Sequence, residues 1–227
     1  MQPADHAEQQ LSSTSRSAAV SAFVTAAAPP GTRQSDADED CAIAAAHTAS
    51  GQNGMVVTVS SLATQVGLKI LQQGGNAVDA AVAVAFALAV TYPEAGNIGG
   101  GGFMLVHPGR GREPVCIDYR EIAPAAATPG MFANDAGGSA LSHRYVGIPG
   151  TVRGLALAHA KFGRLRWAEL VEPAIQLACR GFQIDAHVAA GLNQELTART
   201  SNGEFVRLYG HRDHRPWQAG DRLTQVE

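Results

Sequence analysis

The sequence predicts a mixed α+β domain whose sheet needs strands beyond those it can be seen to supply. Three observations lead there. Residues 80–90 form an apolar helical run with no polar face, so that helix must be enclosed by other elements. Residues 103–106 and 115–119 are short strand-like stretches, and the intervening His107-Pro108-Gly109-Arg110-Gly111-Arg112 has the composition of a hairpin connection. Helical patterns then follow, with an increasingly polar end. Two strands make a poor sheet by themselves.

Each element follows from local chemistry. Residues 1 to about 50 are rich in Ser, Ala, Gln and acids, are broken by Pro29-Pro30-Gly31, and show no hydrophobic period. They read as a disordered leader, residues 1–53, ahead of a domain over residues 54–227. Residues 55–59 make a short apolar strand. Ser60 or Ser61 caps a helix over residues 62–73, and Gly74-Gly75 ends it. Asn76 caps the apolar helix, with Asp79 in the first turn where its charge suits the helix dipole; Tyr92-Pro93 stops it. On the second strand Val115, Ile117 and Tyr119 share one face, and Cys116, Asp118 and Arg120 the other. Gly150 leads into a helix over residues 151–162 that Gly163 ends. Residues 167–180 are helical, with Pro173 expected to kink or split the run. Residues 188–197 are a weaker helix, and the rest is polar and turn-rich.

Composition excludes several functions. The formal charge of -3 and pI near 6.2 leave no electrostatic footprint for nucleic acid. The longest apolar run is far short of the roughly 18 residues that span a bilayer. Residues 18–28 have the apolar character of an export signal, so the leader can be read as a remnant of one. The acids Asp5 and Glu8 against the single Arg16 give the wrong charge balance for a working signal. Cys41, Cys116 and Cys179 are odd in number and far apart, imply no disulfide framework, and read as small buried hydrophobes.

Few residues are candidates for chemistry. Gly99 to Gly102 follow a helix and open a strand, the reverse of a dinucleotide fingerprint, and no phosphate-loop Lys-Ser/Thr is present. Their surviving meaning is close approach of backbone to a neighbour. Arg120, at a strand end, could hold a carboxylate through paired charge-assisted bonds. On spacing alone the plainer reading is an arginine bonded to Asp118, Glu121 or loop carbonyls. His211 and His214 lie in a polar tail and read as surface residues, with no metal motif around them. Asp79 reads as a helix-start residue rather than a general base, and no serine-hydrolase elbow is present.

Four stretches together resemble a known family. They are Gly74-Gly75-Asn76-Ala77-Val78-Asp79-Ala80-Ala81, Gly96-Asn97-Ile98-Gly99-Gly100-Gly101-Gly102-Phe103-Met104, Asp118-Tyr119-Arg120-Glu121-Ile122-Ala123-Pro124 and Gly147-Ile148-Pro149-Gly150-Thr151-Val152. In order and spacing they are similar to the large subunit of γ-glutamyltranspeptidases, also called glutathione hydrolases. The resemblance runs from about residue 54 to at least residue 181.

It implies a partial N-terminal-nucleophile hydrolase (αββα) fold, restricted to the large-subunit portion. It also implies transfer of a γ-glutamyl group from glutathione or a related amide to water, an amino acid or a peptide, through an acyl-threonine intermediate. Arg120 aligns with the family arginine that holds the substrate α-carboxylate, while the glycine tract has a packing role. No metal and no organic cofactor are implied. The partners implied are γ-glutamyl small molecules and a small subunit, which could be separately encoded. The usual location is periplasmic or extracellular.

One family feature is missing. The family's cleavage site, whose threonine becomes the nucleophile, has no counterpart here: Thr200-Ser201-Asn202-Gly203 is the nearest approach, and it lacks the histidine and strand and comes far too early. The expectation is therefore a truncated large-subunit domain, inactive alone. A related acylase or amidohydrolase is the alternative specificity.

Overall fold

A computed structural model gives the structure of the protein, describing residues 49–109, 111–133, 143–200 and 202–225. The chain divides into two units, residues 1–55 and 56–227. Nearly all of the expected leader lies outside the described residues.

Helix α1, Ser61–Gln72, starts at Ser60, whose hydroxyl accepts from the Ala63 amide. Ser60 Oγ also donates to Thr91 Oγ1 at 2.9 Å, tying the start of α1 to the end of the next helix. Helix α2, Ala77–Thr91, opens with a complete capping box: Asn76 accepts from the Val78 and Asp79 amides, and Asp79 accepts from the Asn76 amide. Tyr92 caps its far end.

Strands β1, Phe103–Val106, and β2, Val115–Asp118, pair antiparallel, with Phe103 opposite Asp118 and Val106 opposite Val115. Helix α3, Thr151–Phe162, runs from Gly150 to Gly163. Helix α4, Trp167–Arg180, follows and ends at Gly181. Strand β3, Phe182–Gln183, helix α5, Ala186–Ala198, helix α6, Gly203–Tyr209, and strand β4, Arg222–Leu223, follow, with β3 and β4 antiparallel, and a 3-10 turn, His143–Tyr145, precedes α3.

Helix α2 is the hub. Val78, Ala80, Val82 and Ala83 pack with Ile70 of α1, Leu155 and Ala158 of α3, Leu170 of α4, and Val106 and Ile117 of the hairpin. Phe86 meets Trp167 edge-on at 5.5 Å, so α4 is pinned by an aromatic pair as well as by area. A second cluster joins Phe182, Ile184, Ala189, Leu192, Trp217 and Leu223. There the Trp217 indole N–H donates to the Tyr209 carbonyl at 2.7 Å.

The structure corrects five readings of the sequence. Residues 56–59 alternate in burial but form no strand, because no described strand lies alongside to accept their hydrogen bonds. Helix α2 is not enclosed on every side: Ala81 is exposed, and Val84, Ala85, Phe86, Leu88 and Ala89 are only half-buried, because α1, α3 and α4 cover part of its circumference. Helix α4 is not split at Pro173. The proline forfeits one backbone bond, but Leu170 and Ala174 on either side of it are buried and hold the helix together.

Cys116 and Cys179 are exposed rather than buried. Cys116 falls on the outward side of β2 by strand alternation, and Cys179 is in the last turn of α4; Cys41 lies outside the described residues. Finally, the polar end carries its own small core. His211 belongs to it, with its ring edge-on to Trp217 at 4.8 Å and its side chain only 12% exposed.

Candidate anion-binding site

Alternation along β2 sends Val115 and Ile117 toward the core and Cys116 and Asp118 outward. Arg120 follows that outward set. Its amide donates to Asp118 Oδ1 at 2.9 Å, and its Nε donates to Glu121 Oε2 at 3.1 Å. The guanidinium carbon stands 5.9 Å from the centre of the Phe103 ring, on the neighbouring strand, where a cation is attracted to the ring face. Of the partners expected from sequence, Asp118 and Glu121 both contact Arg120. They occupy the amide and Nε, and no hydrogen-bond acceptor among the described residues takes the two terminal nitrogens. A planar guanidinium held through Nε and a ring leaves its outer edge for a carboxylate. The side chain is 63% exposed, so this edge faces outward.

The tight packing behind Arg120 comes from small residues. Tyr119 Oη donates to the Phe103 carbonyl at 3.4 Å, and burial raises its phenol pKa. The Ile122 and Ile148 backbones exchange two hydrogen bonds, of 3.3 and 2.9 Å, which anchors the chain just after Arg120. The glycine tract contributes no nucleotide cradle. Instead its Gly100 carbonyl accepts from the Gly150 and Thr151 amides at the start of α3.

Other candidates resolve into structure. Asp79 is fully buried and accepts from the amides of Asn76, Arg164 and Leu165. It is therefore the staple joining the start of α2 to the α3–α4 turn. Among the described residues no group of three His, Cys, Asp or Glu is placed to hold a metal ion. A cavity of about 250 Å³ lies between Tyr92, Glu94, Leu192, Glu195, Phe205 and Tyr209, away from Arg120. Arg120 thus stands on an open face, with the Glu121 carboxylate and the Phe103 ring beside it. The sequence reading passed over Asn97, Thr151 and Phe103. Asn97 and Thr151 could have been noticed as the polar residues flanking the glycine tract and opening α3.

The neighbours in known proteins place the fold. The Helicobacter pylori gamma-glutamyltranspeptidase crystal structure superimposes with a TM-score of 0.72 at 37% identity, over 78% of this chain and 52% of that one. A cephalosporin acylase from Bacillus halodurans gives a TM-score of 0.72 at 26% identity, over 90% of this chain and 37% of that one. The described structure is thus a mixed helix-and-strand part of the N-terminal-nucleophile hydrolase fold.

The profile for gamma-glutamyltranspeptidase matches residues 63–227, and the chain belongs to that family. The glutathione hydrolase proenzyme of Escherichia coli K12 is 43% identical over 211 residues, which is 91% of this chain and 36% of that protein. The chain therefore spans about a third of the length of that relative. Members of the family are processed into a large and a small subunit.

Proposed function

We propose that this chain supplies part of the large subunit of a γ-glutamyltransferase or glutathione hydrolase, and that Arg120 holds the α-carboxylate of the γ-glutamyl donor. The observation that carries this is the state of the guanidinium. Its Nε is fixed by Glu121, its face lies against Phe103, and its terminal nitrogens have no hydrogen-bond partner among the described residues. Two parallel N–H···O bonds to a carboxylate fit that vacant edge.

In a complete enzyme, the family chemistry would proceed by attack of a threonine hydroxyl on the γ-carbonyl carbon. The amide C–N bond breaks, and the departing amine takes a proton relayed by the threonine's own α-amine. Water or an acceptor amine then attacks the acyl ester and releases the threonine. Arg120 takes no part in proton transfer. It fixes one end of the donor so that the γ-carbonyl, several bonds away, meets the nucleophile.

The nucleophile would come from the small subunit, which is the partner proposed here. Phe103, Leu105, Ile122 and Ile148 form an exposed apolar surface around Arg120, with Leu105 73% exposed. Such a surface suits burial by a further part of the same enzyme. Residues 1–227 alone are expected to release no chromophore from a γ-glutamyl anilide.

The test is Arg120→Ala in a complete enzyme carrying this sequence. Loss of a charge-assisted pair, about 1.5–3 kcal/mol, should raise KM for the γ-glutamyl donor by roughly one to two orders of magnitude. An unchanged KM would refute the assignment. The acylase likeness supports a second reading, amide substrates without an α-carboxylate, under which Arg120→Ala leaves the preferred substrate unaffected.

A further inference from the structure

Asn97 and Thr151 do not touch Arg120, but they hydrogen-bond to each other beside the backbone that carries it. Asn97 Oδ1 accepts from the Gly100 amide at 2.8 Å and from the Thr151 hydroxyl at 2.8 Å. Its Nδ2 donates to the Ala95 carbonyl at 3.1 Å, which fixes the orientation of the amide group. The Gly100 carbonyl in turn accepts from the Gly150 amide at 2.8 Å and the Thr151 amide at 3.0 Å. Gly100 is thus held at both its donor and its acceptor. Helix α3 begins at Gly150 with no side-chain cap, and this carbonyl binds the amides there in place of one.

The backbone carrying Arg120 rests on both parts of this clasp. A Cβ on Gly101 would lie 2.6 Å from the Tyr119 carbonyl oxygen, 2.8 Å from Arg120 Cα and 2.8 Å from the Glu121 amide nitrogen. A Cβ on Gly150 would lie 2.0 Å from the same Tyr119 oxygen and 3.2 Å from that of Arg120. Gly101 follows Gly100, and Gly150 precedes Thr151. Any slip between Gly100 and Thr151 therefore moves one of the two surfaces against which residues 119–121 are packed. Thr151 is buried, at 6% exposure, so its hydroxyl has little access to water as a substitute partner.

The geometry points to Asn97 and Thr151 as positioning residues for Arg120, acting through their shared hydrogen bond rather than by contact with substrate. This rests on the reading of Arg120 as the carboxylate holder. The bond crosses 54 residues of sequence and joins the glycine tract to α3. With it in place, the Cα of Arg120 is set by backbone contacts and its guanidinium by Glu121 and Phe103. Without it, the same charge is present but is displaced from the position a short dicarboxylic acyl donor requires.

The experiment is steady-state kinetics of the complete enzyme on a γ-glutamyl anilide, comparing wild type, Thr151→Val, Thr151→Ser, Arg120→Ala and the Arg120→Ala/Thr151→Val pair. Thr151→Val removes the donor with little change of shape. It should raise KM about three- to tenfold, the equivalent of one hydrogen bond, and leave kcat within about twofold. Thr151→Ser should restore the wild-type KM. In the Arg120→Ala background, Thr151→Val should add nothing further.

Should Thr151→Val fail to accumulate, Asn97→Ala takes its place, with Asn97→Asp as the conservative partner that keeps the acceptor. A wild-type KM for Thr151→Val beside a raised KM for Arg120→Ala overturns the clasp and leaves the Arg120 assignment standing. An equal KM rise in both backgrounds, or no rescue by serine, also overturns it. A wild-type KM for Arg120→Ala removes the assignment and the clasp together.

Discussion

The role proposed for Arg120 rests on its contacts being incomplete. Glu121 and Phe103 hold the guanidinium by Nε and by its face, and its outer edge remains for a ligand. Lysine offers a point charge without the fork, so Arg120→Lys should recover only part of the donor affinity lost in Arg120→Ala, as read from KM. The candidate was legible because strand alternation places Arg120 with Cys116 and Asp118. What surrounds it was not legible, since Asn97 and Thr151 meet across 54 residues. Gly101 shows the same limit. Its sequence reads only as permissive backbone, whereas the structure gives it a specific neighbour, the Tyr119–Glu121 backbone. Gly101→Ala must push that backbone aside and should destabilise the protein by about 1–3 kcal/mol, measured by denaturant unfolding.

At the scale of elements, the ends of helices α1 to α4 were readable because caps are local chemistry. Ser60, Asn76, Gly163 and Gly181 each act within a few residues of where they stand. Asp79 extends this logic across the fold, since the carboxylate that completes the α2 capping box also binds the Arg164 and Leu165 amides. Asp79→Ala would take the acceptor from the Asn76, Arg164 and Leu165 amides. It should cost about 3 kcal/mol or more of unfolding free energy.

The second core escaped the sequence reading because its strands have two residues each and its apolar members are scattered among charges. Trp217 is its largest side chain and is 7% exposed. Trp217→Ala should cost about 3–5 kcal/mol, visible as a lowered unfolding midpoint.

At the scale of the whole molecule, two features bear on conditions and assembly. Asp221 accepts two hydrogen bonds from Arg215, each 2.7 Å, and a third from the Gln218 amide. The Arg215 guanidinium foremost, then that amide, hold its carboxyl well below the usual carboxylate range. A depressed folded-state pKa adds stability above the unfolded-state value of about 3.9, and this is lost as pH falls below it. Asp221→Asn should therefore be less stable than wild type at pH 7, with the difference narrowing as pH drops below about 4. Equal stabilities at pH 7 would contradict that role.

The hairpin's exposed apolar face and the uncovered side of α2 agree with a chain that spans 36% of its Escherichia coli relative. Among the described residues the sheets are two-stranded ladders only, β1 with β2 and β3 with β4. This is why the sequence could indicate the fold class while leaving much of the sheet undefined.

The central claim is that Arg120 recognises the α-carboxylate of a γ-glutamyl donor. Its most direct measurement compares kcat/KM for a γ-glutamyl anilide with that for the 4-aminobutyryl anilide, which lacks only that carboxylate, in a complete enzyme with Arg120 and with Arg120→Ala. The account predicts strong preference for the γ-glutamyl substrate with Arg120, collapsing by about tenfold or more in the variant. Equal discrimination by both enzymes would contradict it.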